Sequence, residues 1–274
     1  MITNTVYTGE ASEVLSTFED GCIDLTVTSP PYDNLRTYKG YTFDFQAIAR
    51  QLYRVTKPGG VVVWVVGDAT VNGSETGTSF RQALYFMECG FNLHDTMIYE
   101  KAGMRYPDEI RYNAVFEYMF VFSIGAPKTF NPIQDRENLW AGGKISREHQ
   151  VRQTDGSIRE NAAWRHDKDR RVREIGTRNN IWRFTSGSEN ATGKQHPATF
   201  PKALARDHIL SWSNPGDIVC DPMAGSGTTL KMSKMLERQY IGIEISPEYV
   251  DKIIKPRLAA TNVPLGLFSL EVKT

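Results

Sequence analysis

The chain has 274 residues, 40% of them hydrophobic and 23% charged, with 22 glycines. These are ordinary values for a water-soluble globular protein, with room for one large α/β domain or one domain carrying a sizeable insertion. The formal net charge is +0, which excludes a uniformly basic or acidic chain, so class must come from pattern and not from composition.

Three cysteines, Cys22, Cys89 and Cys220, lie far apart, which argues against a disulfide framework and against a metal cluster. No apolar run approaches bilayer-spanning length and the N-terminus lacks a basic-then-apolar signal pattern, so the expectation is a cytoplasmic protein without a metal. The zero net charge hides an asymmetry. Residues Lys128 to Gln195 hold fourteen Lys plus Arg against nine Asp plus Glu, a net +5, and the remainder holds eighteen against twenty-three, a net −5. A basic segment on an acidic body is the distribution expected of a polyanion-binding face.

In chain order, Val6-Tyr7-Thr8 reads as a short strand, and Val14, Leu15 and Phe18 give the next stretch a helical pattern. Ile23 to Thr28 alternates apolar and polar residues, which predicts a strand. It runs directly into Ser29-Pro30-Pro31-Tyr32. Two prolines cannot continue a ladder, and each holds the residue before it extended, so this strand must end in a stiff turn that presents its backbone carbonyls. Phe45, Ile48, Ala49, Leu52 and Tyr53 recur at helical spacing, and Lys57-Pro58-Gly59-Gly60 stops that helix. The unbroken apolar run Val61 to Val66 then fits a strand covered on both faces. Asp68, just past its end, suits a ligand site or a loop cap equally well. Phe80, Leu84 and Met87 predict another helix, and Asn92 to Lys101 and Ala114 to Ser123 two more strands.

From about Pro127 the periodicity fades, and Arg170-Arg171-Val172-Arg173 makes the densest basic cluster. Phosphate contact is the expectation for Arg170, Arg171 and Arg173. Trp140, Trp164 and Trp182 read as packing residues and not as base wedges. Regular pattern returns at Pro201, where Leu204, Ala205, His208, Ile209 and Trp212 predict a helix with proline in its first turn. The apolar run Ile218-Val219-Cys220 then enters Asp221-Pro222-Met223-Ala224-Gly225-Ser226-Gly227-Thr228-Thr229. A strand that stops at an acid and enters a Gly-x-Gly turn before a helix is how a doubly wound sheet brings its backbone against a nucleotide-like ligand. Tyr240 to Glu244 reads as a second strand ending in a carboxylate, placed where such folds hold ribose hydroxyls. Together they suggest an adenosine site.

The two foci, Asp221 to Thr229 and Ser29 to Tyr32, resemble the signatures of the amino-group DNA methyltransferases that use S-adenosylmethionine. Their order, base motif first, basic insertion next and cofactor motif last, resembles the permuted group called class beta, and the likeness covers nearly everything but the insertion. It implies a doubly wound, Rossmann-like, mostly parallel α/β sheet in permuted order. Residues 1–127 would be the catalytic half with the base motif, 128–195 an inserted target-recognition region, and 196–274 the cofactor half of the same domain. Ser29, Pro30, Pro31 and Tyr32 would hold a flipped base. The cofactor would be met by Glu10, Thr28, His196, Thr199, Phe200, Pro201, Asp221, Pro222, Met223, Gly225, Ser226, Gly227, Thr228, Thr229 and Glu244. Met223 stands where the family usually has Phe, and Glu10 where Asp is usual. Lys101 and Glu117, in a less specific match, read as a local ion pair.

An exocyclic amine is a weak nucleophile because its lone pair is delocalised into the ring. The Ser29 side chain and the Pro30 carbonyl can accept its hydrogens and favour a pyramidal nitrogen, with Tyr32 as the stacking platform for the extruded base. Methylation at cytosine carbon 5 needs a thiol, normally after proline, and no cysteine here follows one. Serine at the head of the base motif resembles the cytosine-N4 members, with adenine-N6 as the alternative; a nicotinamide-dependent oxidoreductase is the distant one. Double-stranded DNA is the expected partner, and the resemblance leaves a homodimer and a partner restriction endonuclease open.

Overall fold

The alternating stretch Ile23–Thr28 and the apolar run ending at Val66 become neighbours in the middle of one sheet. The computed structural model describes residues 1–31, 43–102, 110–144, 150–153, 155–160, 171–185 and 201–262. It comprises two compact units, one of Met1–Asn131 with Asn180–Thr274 and one of Pro132–Asn179.

The larger unit is built on strands β1 (Thr5–Thr8), β2 (Ile23–Thr28), β3 (Thr56–Val66), a small hairpin β4 (Thr70–Val71) and β5 (Ser74–Glu75), then β6 (Asn92–Ala102) and β7 (Phe116–Ser123). The smaller unit holds β8 (Gln134–Glu137), β9 (Gln150–Arg152), β10 (Ile158–Glu160) and β11 (Ile175–Thr177), and the larger resumes with β12 (Ile181–Thr185), β13 (Ile218–Asp221) and β14 (Gln239–Glu244). The main sheet has the order β1-β14-β13-β2-β3-β7-β6-β12. Its pairings are parallel except those of β7, which runs against β3 and β6. The carboxyl ends of β14, β13, β2 and β3 therefore share one edge, and the amino end of β7 joins them because Tyr118 lies opposite Val66. β12 falls in the stretch expected to be insertion, yet it extends the main sheet beside β6.

Helices α1 (Ala11–Ser16), α2 (Phe45–Val55), α3 (Thr78–Glu88), α4 (Lys202–Trp212) and α5 (Thr228–Met235) connect these strands. The C-terminal helical segment runs through α6 (Pro247–Tyr249), a π-helical turn Val250–Ile254 and α7 (Lys255–Ala259). Residues Val61 to Val66 are all buried, as a strand covered on both faces requires. The expected stop at Lys57-Pro58-Gly59-Gly60 is instead an irregular start of β3, where register jumps from Ile23–Thr56 to Leu25–Val61. Gly59 takes φ +77° there, a conformation that favours glycine.

α3 turns the opposite way from its sequence pattern. Phe80, Leu84 and Met87 are exposed, while Ser79, Gln82, Ala83 and Phe86 face the sheet. The physical reason is Trp64: its fully buried indole N–H needs an acceptor, and Gln82 Oε1 supplies one at 2.8 Å. Phe86 then stacks on Phe122, ring centroids 4.6 Å apart. Trp182 is buried against the ring of His208, 4.5 Å away, as expected of a packing residue. Trp140 is exposed, which corrects that expectation, and Trp164 lies outside the described residues. No helix among the described residues is long and apolar enough to cross a membrane.

Gly242, in the middle of β14, has no room for a side chain, because a Cβ there would overlap Leu230 Cδ1 of α5. Gly242→Ala should therefore destabilise the chain by about 1–3 kcal/mol through overpacking. A thermal melt should show a Tm lower by several degrees, and an unchanged Tm would mean that α5 yields freely.

Candidate active site

β13 lies between β14 and β2, with Val219 opposite Leu25 and Cys220 opposite Thr26. This register sets the end of β13, Asp221, next to the end of β2, Thr28, although 193 residues separate them in sequence. The Thr28 hydroxyl donates to Asp221 Oδ1 at 2.8 Å, and the Met223 N–H reaches the same oxygen at 3.2 Å. The double-proline turn leaves β2 at this point, with Ser29 half-buried, Pro30 buried and Pro31 half-buried. The structure thus brings Ser29, Pro30 and Pro31 to the strand end beside the glycine turn.

The turn folds tightly. Gly225 and Gly227 take φ +53° and +75°, left-handed conformations that a β-branched residue would adopt only under strain. The Gly227 N–H closes onto Ala224 O at 2.7 Å, and α5 begins at the next residue. Glu244, at the end of β14, holds the turn from the other side. One carboxylate oxygen accepts from the Gly225 N–H at 2.9 Å and the other from the Ser246 N–H at 3.0 Å. Each oxygen keeps a lone pair, so the group can still accept from ligand hydroxyls. β1 adds Glu10 to this neighbourhood: Thr8 pairs with Glu244, and the Gly9 N–H donates to the Glu244 carbonyl at 3.1 Å. Glu10 itself caps α1, its Oε2 accepting from the Glu13 N–H at 2.9 Å and from Ser12 Oγ.

Two acids are thus buried together, Asp221 at 2% and Glu244 at 8% exposure. Burial pushes Asp221 up to about 6, helped by the charge of Glu244 and opposed by the bonds from Thr28, Thr229 and Met223. Burial also raises Glu244, against the backbone N–H groups of Ser246, Gly225 and Ile245. Neither forms an ion pair among the described residues. An uncompensated pair of buried acids beside an open glycine turn suits a ligand that brings both positive charge and hydroxyl groups.

Several of the expected contact residues are buried at this edge. Thr28, Thr228 and Thr229 are buried, and Thr229 Oγ1 donates to Val27 O at 3.1 Å, tying α5 to β2. The Thr28 and Thr229 hydroxyls bond Asp221, and Thr228 Oγ1 lies 3.3 Å from Ser226 Oγ. Pro222 and Ser226 are buried and Met223 packs on the core behind the turn. Pro201 caps α4 instead of sitting in its first turn, its carbonyl accepting from the Leu204 and Ala205 N–H groups. Tyr32, His196, Thr199, Phe200 and Arg170 lie outside the described residues. Arg171 and Arg173 are exposed on the smaller unit, with Arg171 Nη1 donating to Gly142 O at 2.8 Å. Asp68 proves to be a loop cap: it accepts from the Ser79 N–H at 2.9 Å and from the Ser79 hydroxyl. Lys101 and Glu117 form an ion pair where β6 and β7 meet the same edge.

Sequence reading missed Arg257. Its Nη1 donates to Ser226 O at 2.8 Å and lies 3.0 Å from Ser226 Oγ, clamping the glycine turn from α7. The signal was present, since Arg257 falls three, four and seven residues after the buried Ile254, Ile253 and Val250. A cation on the apolar face of a helix has a partner to reach.

The raised Asp221 pKa has a definite sign. The folded chain holds a proton that the unfolded chain releases between about pH 4 and about pH 6, so stability from this group is lost as pH rises through that window. Asp221→Asn should leave the ligand-free Tm nearly unchanged at about pH 3, below both values, and raise it by a few degrees at about pH 7, above both. Equal shifts at both pH values would show that Asp221 does not titrate there.

A family model described as DNA methylase matches residues 23–255. The orphan methyltransferase M.BamHII of Bacillus amyloliquefaciens is 59% identical over 236 residues, covering 85% of this chain and 87% of its own. Among solved structures, TTHA0409 of Thermus thermophilus, complexed with S-adenosyl-L-methionine, aligns with TM-score 0.61 and 25% identity over 95% of this chain and 96% of that one. The cytosine-N4-specific PvuII DNA methyltransferase aligns with TM-score 0.63 over 91% and 84%, at 21% identity, and so shares the fold.

Proposed function

We propose that this chain, which belongs to the DNA methylase family whose model spans residues 23–255, methylates the exocyclic 4-amino group of cytosine in duplex DNA, with S-adenosylmethionine as donor. The observation that carries the reading is the β2–β13 pairing, which sets Ser29-Pro30-Pro31 beside Asp221 to Gly227 at one sheet edge. The donor fits this edge chemically. Glu244 offers carboxylate lone pairs for ribose hydroxyls, and the buried Asp221 carboxylate favours a cationic ligand. The glycine turn lets the backbone approach closely.

When bound, S-adenosylmethionine supplies a methyl group on a positively charged sulfur. The chain has to hold and polarise the amine. Ser29 Oγ and the Pro30 carbonyl accept its hydrogens, which draws the lone pair out of the ring plane and aims it at the donor. The stiff Pro30-Pro31 backbone keeps these acceptors in place without reorganisation. Tyr32 gives the extruded base a ring to stack on, repaying part of the unstacking cost. No residue forms a bond to the base. Cys220, the thiol next to Asp221, is fully buried and burial raises its pKa well above the ordinary thiol range, so it does not supply the thiolate that carbon-5 methylation requires.

Ser29 at the head of the base motif supports cytosine; the 6-amino group of adenine is the alternative on the same fold. Nucleoside mass analysis of DNA treated with the protein and S-adenosylmethionine distinguishes them. N4-methylcytosine is the expected product, methyl on adenine alone would move the chain to the alternative, and unmodified DNA would remove the reading. The division of labour also has a test. Tyr32→Ala should lower kcat/KM for DNA about 5- to 150-fold, the worth of a base–aromatic stack, with calorimetric affinity for S-adenosylhomocysteine unchanged. Gly225→Val, which strains a φ of +53°, should abolish that affinity. Equal effects of both variants on cofactor affinity would contradict separate roles.

A further inference from the structure

We propose that Leu139 and Trp140, in an exposed turn that interrupts the ladder between the β8 and β11 segments of the smaller unit, enter duplex DNA as an apolar wedge. The inference rests on the reading that this chain acts on DNA. Leu139 is 95% exposed and Trp140 80%, an arrangement that costs free energy in water unless something covers them. They do not sit on a loose loop. β8 and β11 pair antiparallel beneath them, and beyond β8 the Asn138 N–H donates to Glu174 O and its Nδ2 to Arg173 O, both at 2.8 Å. Across the turn, the Gly142 N–H donates to Val172 O at 2.9 Å, the Val172 N–H to Gly143 O at 3.0 Å, and Arg171 Nη1 to Gly142 O. The Gly143 N–H closes onto Trp140 O at 3.0 Å, and a Cβ on Gly143 would come within 2.9 Å of that same oxygen. Gly142 takes φ +76°. Two large apolar side chains therefore project from a backbone that is fixed before any partner arrives.

The chemistry of this turn decides what that partner is. Arg171 and Arg173 lie on the segment bonded to it and Lys144 on its far side, with Glu137 and Glu174 as the acids on the same two segments, while Asp135 is paired with Arg178. The unit as a whole, Pro132–Asn179, holds eleven Lys plus Arg against eight Asp plus Glu, and the rest of the chain is correspondingly acidic. A second protein chain is a poor occupant. One tryptophan and one leucine bury a few hundred Å2 at most, well short of the roughly 800 Å2 per partner of a stable interface, and the rim is charged. A polyanion whose apolar bases are stacked behind phosphates fits both features. The cations meet the phosphates, and the indole and the leucine side chain slide against or between bases, opening a step in the duplex.

Tryptophan emission of the full-length protein, titrated with sheared unmethylated duplex DNA of mixed sequence, tests this directly. The wild-type emission should be quenched, and Trp140→Phe should lose most of that quenching while its DNA affinity falls less than about threefold. Trp140→Ala and Leu139→Ser should each weaken DNA binding by about 5- to 100-fold, with Tm and S-adenosylhomocysteine affinity unchanged. The wedge is overturned if Trp140→Ala binds duplex as tightly as wild type, or if Trp140→Phe keeps the full quenching. It is equally overturned if Trp140→Ala changes only the sedimentation mass, which would mark a protein contact. Binding and quenching are read without turnover, so a failure of methyl transfer to DNA would be recognised separately, by the absence of product with wild-type protein.

Discussion

The pairing of β2 with β13 is the constraint from which the rest of this molecule follows. Two stretches nearly two hundred residues apart become adjacent strands, and the Thr28 hydroxyl locks their ends together through Asp221. In a parallel sheet the carboxyl ends of strands open onto the same crevice, so chemistry carried at one strand end is automatically beside chemistry carried at the next. Ser29-Pro30-Pro31 and the glycine turn are thereby carried at neighbouring strand ends. Everything behind them serves to hold that edge still: Glu244 grips Gly225, Arg257 clamps Ser226, and Thr229 bonds the backbone of β2.

Holding the edge still has a thermodynamic cost that points at the ligand. Burial disfavours the charge of both Asp221 and Glu244, and the charge of Glu244 further disfavours that of Asp221. A fold selected only for stability would place apolar or paired residues there. The strain is understandable if a positively charged, hydroxyl-rich molecule completes the arrangement, since the charge that destabilises the empty edge then favours the bound one. Arg257 bonds to Ser226 and not to either acid.

Much of this was legible in the chain because the signals were local. The alternation of Ile23–Thr28 and the two prolines after it fix where β2 begins and stops, and Asp221 to Thr229 marks the second strand end as plainly. What stayed hidden depended on partners distant in sequence. The apolar spacing of Phe80, Leu84 and Met87 announced α3 correctly but misjudged its buried face, because the demand of Trp64 for an acceptor, met by Gln82, cannot be seen from the helix alone. Ile181–Thr185 was lost among charged neighbours, though it completes the sheet beside β6. Trp140 was expected to be a packing residue, and only the folded chain shows that it stands 80% exposed.

A crystal structure of the protein with S-adenosylhomocysteine would test most directly whether the two motifs serve one reaction. The ribose should lie on Glu244 and the sulfur at the junction of the β13 and β2 ends, facing the Pro30 carbonyl. A cofactor bound with its sulfur turned away from the double-proline corner, or seated at another edge of the sheet, would contradict it.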